Sequence, residues 1–219
     1  MKYKLAVFDL DGTILNTVED LADSVNYALR KYGLPERTLE QTRKLLGNGM
    51  KNLCYGSTPE GTPEEIRQAV LADFREYYGI HCMDKTRPYE GIHEMFANLR
   101  GAGIHVVVLS NKGDSAVQTL MDHYYSGELD GAYGERQGIR RKPWPDALQS
   151  IMEAEQVLPT ETVYIGDSEV DIETGKNAGV DCIIVEWGFR SRDFLIEAGA
   201  EHLAADVPQL EQMIRGQQS

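Results

Sequence analysis

Two aspartates separated by one residue follow a short apolar run near the start of the chain. The motif reads Asp9-Leu10-Asp11-Gly12-Thr13. Open α/β sheets bind ligands at the carboxyl ends of their strands, and a glycine there lets the backbone approach a ligand closely. A simple Asp11-Gly12 turn would explain two of these residues, but it would not explain why Asp9 stands at the end of an apolar run. The motif therefore predicts a site for acid, base or nucleophile chemistry.

Two later motifs supply a hydroxyl and a positive charge. Ser110 and Asn111 follow the apolar run 106–109. A serine hydroxyl at that place could donate to a phosphate oxygen, although taken singly it is better explained as a helix N-cap. Lys142 precedes Pro143, which restricts the local backbone. A lysine is a point charge suited to a phosphoryl group, although taken singly this one is better explained as a surface lysine in a basic run.

A fourth motif contains two aspartates spaced by one helical turn. Asp167 follows the apolar run 163–165, and Asp171 comes four residues later. That spacing places them on one face of the helix expected to start there. Acidic residues are also typical of the first turn of an N-capped helix, so this motif too has a purely structural explanation.

The apolar runs predict the element that brings these motifs together. Runs at 5–8, 106–109, 163–165 and 182–185 alternate with helical patterns, and a further short strand is expected near 132–133. This order predicts an α/β fold with a doubly wound, Rossmann-like parallel sheet covered on both faces. Three of the four motifs follow such runs, so their side chains should meet at one edge of the sheet.

The charges expected at that edge call for a cation. Asp9, Asp11, Asp167 and Asp171 contribute four negative charges, against one positive charge from Lys142. Mg²⁺ prefers hard oxygen ligands of this kind and would leave a single excess negative charge. Protonation of Asp11, which crowding by like charges favours, would neutralise the cluster.

An insertion separates the first two motifs. Asp11 and Ser110 lie about 100 residues apart, whereas an ordinary strand–helix–strand unit needs about 30. Residues 18–79 show helical patterns only, with capping boxes expected at Thr38 and Thr62, proline at the first helical position after Thr62, and a helix end at Gly79. We therefore expect a core domain of residues 1–16 and 88–219 and an all-helical domain of residues 17–87.

Composition excludes several classes of partner. The 219 residues carry a net charge of −13, which disfavours nucleic acids and anionic membrane surfaces as partners. No stretch approaches the length of about 20 apolar residues that spans a bilayer, and no signal peptide is visible. The chain has three cysteines at long spacings, so neither a disulfide framework nor a cysteine metal site is expected. These features predict a cytoplasmic protein acting on a small molecule, either as a monomer or as a homodimer.

The four motifs, in this order and spacing, resemble those of the haloacid dehalogenase superfamily of phosphotransferases. The resemblance covers nearly the whole chain, and the insertion matches the subgroup with a helical cap between the first and second motifs. Within it the chain looks most like the phosphoglycolate phosphatase group. Further likeness comes from the segments Pro88-Tyr89-Glu90-Gly91, Asn111-Lys112, Lys142-Pro143-Trp144-Pro145 and Asn177-Ala178-Gly179.

The resemblance implies a role for each motif. Asp9 would be the nucleophile that forms an aspartyl-phosphate, and Asp11 would be the general acid and then the general base. Dehalogenases of the superfamily lack the second of these aspartates, so its presence favours phosphate chemistry. The resemblance implies that Mg²⁺ would be held by the Asp9 carboxylate, the Asp11 backbone carbonyl and Asp167. The implied supporting groups are Ser110 and Lys142 on the phosphoryl oxygens, Asp171 orienting Lys142 or the metal ligands, and Thr13 and Asn111 beside the substrate.

The connection Gly47-Asn48-Gly49-Met50 resembles the specificity loop of such caps. Its backbone N–H groups could contact the end of the substrate that carries no phosphate, which makes Asn48 and Gly49 candidate substrate-binding residues. The alternative is a plain turn between two helices that requires glycine. Both explanations stay open at this point.

The sequence as a whole predicts a Mg²⁺-dependent phosphatase for a small phosphorylated metabolite, with phosphoglycolate as the leading candidate from the resemblance. Two alternatives use the same motifs: pyrophosphate hydrolysis, and phosphoryl transfer by a mutase of the β-phosphoglucomutase kind. A third alternative, a catalytically silent regulatory protein, would be expected to lack one of Asp9, Asp11, Lys142 or Asp167. All four are present.

Overall fold

A parallel β-sheet is the central element of the computed structural model, which describes residues 2–216. The strands, in chain order, are β1 (Leu5–Phe8), β2 (Leu15–Asn16), β3 (Arg87–Pro88), β4 (His105–Gly113), β5 (Gly131–Glu135), β6 (Thr162–Gly166), β7 (Asp181–Val185) and β8 (Leu203–Ala204). Six of them form one sheet in the order β5-β4-β1-β6-β7-β8, with parallel ladders. The predicted doubly wound α/β class is confirmed. Strands β2 and β3 form a separate two-stranded sheet.

Ten α-helices connect the strands in the described part of the chain. They are α1 (Val18–Lys31), α2 (Leu39–Lys44), α3 (Gly49–Ser57), α4 (Glu64–His81), α5 (Ile92–Gly101), α6 (Asp114–Tyr124), α7 (Asp146–Glu155), α8 (Glu169–Ala178), α9 (Arg192–Glu197) and α10 (Val207–Arg215). The chain divides into two compact units. One comprises the residues up to Leu15 and from Pro88 onward, and the other comprises Asn16–Arg87.

Helices cover both faces of the sheet in the larger unit. Successive side chains of a strand point to opposite faces, so β1 contributes to two apolar layers. On one face the ring of Phe8 meets that of Phe96 from α5 edge-on, with ring centroids 5.1 Å apart. On the other face Val7 belongs to a buried cluster with Leu148 and Ile151 of α7. Burial on both faces explains why the strands read as continuous apolar runs.

Helices are the main elements of the smaller unit, whose first and last residues, Asn16 and Arg87, belong to β2 and β3. Helices α1 and α4 pack against each other, and the rings of Tyr27 and Tyr77 stack 4.1 Å apart between them. The buried carboxylate of Asp20 in α1 accepts hydrogen bonds from the backbone N–H groups of Lys85 and Thr86 at 2.8–3.0 Å. These bonds hold the segment after α4 against α1.

The structure corrects details of the helical unit. The capping box at Thr38 is present, but the one expected at Thr62 is not, because the Thr62 hydroxyl donates to the Pro59 carbonyl and Pro63 occupies the N-cap position. The expected helix end at Gly79 is also wrong, since α4 continues to His81. A glycine inside a helix costs only about 1 kcal/mol, which the packing of α4 against α1 can offset. None of the described helices is long and apolar enough to cross a membrane.

Candidate active site

Three neighbouring strands bring the predicted motifs to one edge of the sheet. Strand β1 lies between β4 and β6, so the residues that follow β1 and β6 and the end of β4 are adjacent. The backbone N–H of Asp9 donates to the Ile165 carbonyl of β6 at 2.8 Å, which continues the ladder to the site. Asp9, Ser110 and Asp167 are all at most 5% exposed.

Lys142 links the first and fourth motifs. Its Nζ lies 2.8 Å from Asp9 Oδ1 and 2.8 Å from Asp171 Oδ1, and it donates to the Tyr164 hydroxyl oxygen at 2.7 Å. The lysine is only 3% exposed. The two nearby carboxylates raise its pKa against the opposing effect of burial, so the side chain stays charged. Asn111 supports it by donating from Nδ2 to the Lys142 carbonyl at 3.0 Å.

Asp171 is held by hydrogen bonds on both carboxylate oxygens. Oδ1 accepts from Lys142 and from the Tyr164 hydroxyl, and Oδ2 accepts from the Asp167 N–H, the Ser168 N–H and the Ser168 hydroxyl. Burial favours the neutral acid, but the charge of Lys142 and these hydrogen bonds outweigh it and lower the pKa of Asp171. Asp171 is therefore an anion whose oxygens are already engaged beside Lys142.

Asp167 is enclosed by backbone on two sides. Its Oδ2 accepts a hydrogen bond of 2.7 Å from the Phe189 N–H. A Cβ atom at Gly12 or at Gly188 would overlap the Asp167 side chain, so both positions require glycine. The loop after β7 is tied to the first motif by the Trp187 Nε1, which donates to the Thr13 carbonyl at 3.0 Å.

Asp11 faces a second buried lysine. Its Oδ2 lies 3.1 Å from Lys112 Nζ, and the Lys112 side chain is only 2% exposed. The charge sum from the sequence did not include this lysine, although it follows Ser110 by two residues. With Lys112 counted, the four carboxylates and two lysines have a formal sum of −2, which one divalent cation would balance. Thr13 is fully buried, and its hydroxyl has no hydrogen-bond partner among the described residues.

The acidic cluster has the donor chemistry of a site for a hard divalent cation. One carboxylate oxygen from each of Asp9, Asp167 and Asp171 lies within 4.8 Å of the others. Burial raises the pKa of Asp9 from 3.8 to about 7, partly offset by Lys142, and burial also raises the pKa of Asp167 well above its usual range. Burial thus disfavours the ionised form of both carboxyls, and a bound cation would oppose that effect. Because the oxygens of Asp171 already accept five hydrogen bonds, Asp9 and Asp167 are the more available ligands.

The predicted specificity residues lie in the helical unit. Asn48 is the N-cap residue of α3, without a side-chain capping bond, and Gly49 begins that helix. Gly47 and Gly49 have φ angles of +99° and +77°, a conformation that favours glycine. The connection between α2 and α3 therefore needs its glycines for the turn itself, as the structural alternative requires.

Sequence reasoning assigned no role to three groups at the site. Lys112 lay beyond the expected end of its strand, although its i+2 spacing from Ser110 was a usable signal. Tyr164 was counted only as part of an apolar run, and its hydroxyl turned out to contact Lys142 and Asp171. The Phe189 N–H had no sequence signal, because any residue other than proline offers the same donor.

Fold and site together define a class: a doubly wound α/β protein with buried aspartates and a buried lysine at the carboxyl ends of its parallel strands. The model of the haloacid dehalogenase-like hydrolases matches residues 6–185. The chain belongs to this family.

Relatives and solved structures agree with this assignment. A phosphoglycolate phosphatase of Pseudomonas putida is 30% identical over 85% of this chain and 70% of its own length, and one of Vibrio vulnificus is 30% identical over 94% of each. The crystal structure of a candidate phosphoglycolate phosphatase from Lactobacillus delbrueckii subsp. bulgaricus is 38% identical, covers 98% of this chain and 99% of its own, and superposes with a TM-score of 0.93. The chain is a phosphatase of this family, a phosphoric monoester hydrolase.

Proposed function

We propose that this phosphatase hydrolyses a small phosphorylated metabolite, foremost phosphoglycolate, through an aspartyl-phosphate on Asp9. The observation that carries the chemistry is the contact of 2.8 Å between the buried Asp9 carboxylate and Lys142 at the edge of a parallel sheet. Relatives about 30% identical and named phosphoglycolate phosphatase support the choice of substrate. The net charge of −13 fits a small substrate held by local positive charge better than it fits a nucleic acid or a membrane.

The proposed reaction has two steps, formation of the aspartyl-phosphate and its hydrolysis. In the first, an Asp9 oxygen attacks phosphorus, the bond from phosphorus to the leaving oxygen breaks, and Asp11 gives its proton to that oxygen. In the second, Asp11 takes a proton from water as the water oxygen attacks phosphorus, and the bond to Asp9 breaks to release inorganic phosphate. Ser110 and Lys142 hold the phosphoryl oxygens through both steps, and Asp171 holds Lys142 in place.

A divalent cation, proposed to be Mg²⁺, fits this site. Asp9 and Asp167 would hold it together with the Asp11 backbone carbonyl. The chemistry that the cation supplies when bound is neutralisation of the carboxylates and of the phosphoryl oxygens.

Thr13 and Asn111 support the site through the contacts described above. Residues 17–87 act as a helical cap in which Asn48 and Gly49 contribute to substrate choice. The proposed setting is the cytoplasm, which the sequence predicts from three cysteines at long spacings, Cys54, Cys82 and Cys182.

Phosphate release by the wild type and by Asp9→Asn, measured side by side, tests this proposal. The panel contains phosphoglycolate, pyrophosphate, sugar phosphates and nucleoside monophosphates, each with Mg²⁺ and with a chelator. We expect phosphoglycolate to be hydrolysed fastest, only with the metal, and at least about 10⁴-fold slower by Asp9→Asn. Trapping of the phosphoenzyme in the wild type alone would support Asp9 as the nucleophile.

Three outcomes would contradict parts of the proposal. Undiminished turnover by Asp9→Asn would remove the nucleophile assignment. A different preferred substrate in the panel would replace phosphoglycolate and leave the mechanism standing. Equal rates with metal and with chelator would remove the Mg²⁺ requirement.

A further inference from the structure

Lys112 is a buried cation that the mechanism above does not use. It is 4% exposed, and its side chain is almost wholly enclosed. Lysine is almost never buried to this extent unless a carboxylate compensates its charge. Here its Nζ lies 3.1 Å from Oδ2 of Asp11, the residue assigned to proton transfer. Lys142, by contrast, contacts Asp9 and Asp171. The ion pairs of Lys112 and Lys142 described here therefore involve different carboxylates.

The backbone that carries Lys112 is held in an irregular part of β4. The pairing of β4 with β5 shifts between Leu109 and Gly113, so the alternation of side chains along the strand is interrupted there. The Lys112 N–H donates to the Ser110 hydroxyl oxygen at 3.2 Å. A Cβ atom at Gly134 would come within 2.7 Å of the Lys112 carbonyl oxygen, so β5 packs tightly against this segment. The pairing and packing of β4 with β5 thus fix the position of the Lys112 backbone.

We propose that Lys112 is a positioning residue for Asp11. The Lys112 ammonium group holds one oxygen of the Asp11 carboxyl group, whether that group is protonated or ionised, and thereby sets the direction in which the other oxygen transfers its proton to and from the reacting oxygens. This inference rests on the proposed function, because it assumes that Asp11 is the general acid. General acid catalysis depends strongly on geometry, since a displacement of about 1 Å can cost about 100-fold in rate.

The dependence of the rate on the leaving group tests the proposal. p-Nitrophenol leaves readily without a proton, whereas ethanol needs one, so p-nitrophenyl phosphate and ethyl phosphate differ in their need for the general acid. The variants are Lys112→Met, Lys112→Arg, Asp11→Asn and the double variant Asp11→Asn with Lys112→Met. The measured quantity is kcat/KM, which reports the step in which the leaving group departs. Lys4→Met serves as the matched control, since Lys4 forms an exposed pair with Glu161.

We expect Lys112→Met to lower kcat/KM about 10- to 100-fold on ethyl phosphate but less than about 3-fold on p-nitrophenyl phosphate. Lys112→Arg should recover most of the loss, and Lys4→Met should change neither substrate. Because Lys112 acts through Asp11, the double variant should be no slower than Asp11→Asn alone. Magnesium affinity, measured by calorimetry, should stay within about 3-fold of the wild type.

Several results would overturn the inference. Equal losses on both substrates would make Lys112 a structural or phosphate-binding residue. A larger loss in Lys112→Met than in Asp11→Asn on ethyl phosphate would mean that Lys112 itself transfers the proton. If Lys112→Met does not fold, Lys112→Gln takes its place under the same criteria. If Asp11→Asn shows no dependence on the leaving group, the proposed function fails instead, which keeps the two failures distinct.

Discussion

At the scale of single residues, the site gathers more negative charge than its lysines neutralise. Asp9 and Asp167 both have raised pKa values because they are buried, whereas the pKa of Asp171 is lowered by Lys142 and by hydrogen bonds from the Ser168 and Tyr164 hydroxyls, against the effect of burial. Neighbouring carboxyls with opposite shifts are typical of sites with divided tasks. In this site Asp171 holds Lys142 in position, and Asp9 and Asp167 are the proposed ligands of a cation.

This charge pattern predicts how stability depends on pH without metal. The pKa of Asp9 is about 7 in the folded protein and 3.8 when unfolded. Between about pH 4 and pH 7 the unfolded chain therefore binds fewer protons, and this group lowers the free energy of unfolding as pH rises. Asp9→Asn removes the effect, so the variant should gain stability over the wild type at pH 8 more than at pH 5.

Urea unfolding in the presence of a chelator measures this difference. The control is Asp122→Asn, which changes an exposed carboxyl of α6. Added Mg²⁺ should abolish the advantage of Asp9→Asn at pH 8, because the cation stabilises the ionised carboxylate of the wild type. An advantage for Asp9→Asn of the same size at both pH values would show that Asp9 is ionised throughout.

At the scale of elements, loops after the strands determine where the aspartates point. Asp167 lies between Gly12 of the first motif and Gly188 of the loop after β7, with no room for a Cβ atom at either glycine. The Phe189 N–H then holds its Oδ2. Two distant backbone segments thus fix the position of Asp167, a proposed metal ligand, by their close approach to its carboxylate.

Gly188→Ala should therefore weaken Mg²⁺ binding about 10- to 100-fold, the usual cost of disturbing a group that orients a metal ligand. Calorimetry measures the affinity. Gly79→Ala is the matched control, since nothing lies within 4 Å of the Cβ position at Gly79 inside α4. The control should keep the wild-type affinity and raise the free energy of unfolding by about 0.5–1 kcal/mol. Unchanged affinity in Gly188→Ala would mean that Asp167 can move without loss.

At the scale of the whole molecule, the chain consists of two compact units. The charged groups of the candidate site, Asp9, Asp11, Lys112, Lys142, Asp167 and Asp171, all belong to the larger unit. The helical unit enters and leaves through β2 and β3, which are paired. Paired strands lie about 4.8 Å apart, so a short linker can join them.

A chain in which a short glycine–serine linker replaces residues 18–85 should therefore fold, as judged by circular dichroism. It should still release phosphate from p-nitrophenyl phosphate with Mg²⁺, but its preference for phosphoglycolate should fall, because Asn48 and Gly49 are gone. The same shortened chain with Asp9→Asn controls for contaminating phosphatases. Unchanged preference in the shortened chain would place substrate choice in the larger unit.

Much of this architecture could be predicted from the sequence, because local patterns report local structure. Strand β1 begins and ends where its apolar run does, and a short strand was expected where β5 lies. Helix ends were less predictable. The Thr62 hydroxyl donates to the Pro59 carbonyl instead of capping α4, and at Gly79 the packing of α4 against α1 outweighs the glycine signal. The two-residue strands β2, β3 and β8 are too short to leave a pattern.

The sequence by itself determined the order of strands and motifs along the chain. Because parallel strands all end on the same side of a sheet, it also determined that Asp9, Ser110 and Asp167 meet at one edge. Only the tertiary structure decided which charge faces which. The pairing of Lys112 with Asp11, the Tyr164 hydroxyl between Lys142 and Asp171, and the Phe189 N–H on Asp167 join residues from distant parts of the chain. Such contacts depend on strand register and backbone approach to within an ångström, which no periodicity in the sequence encodes.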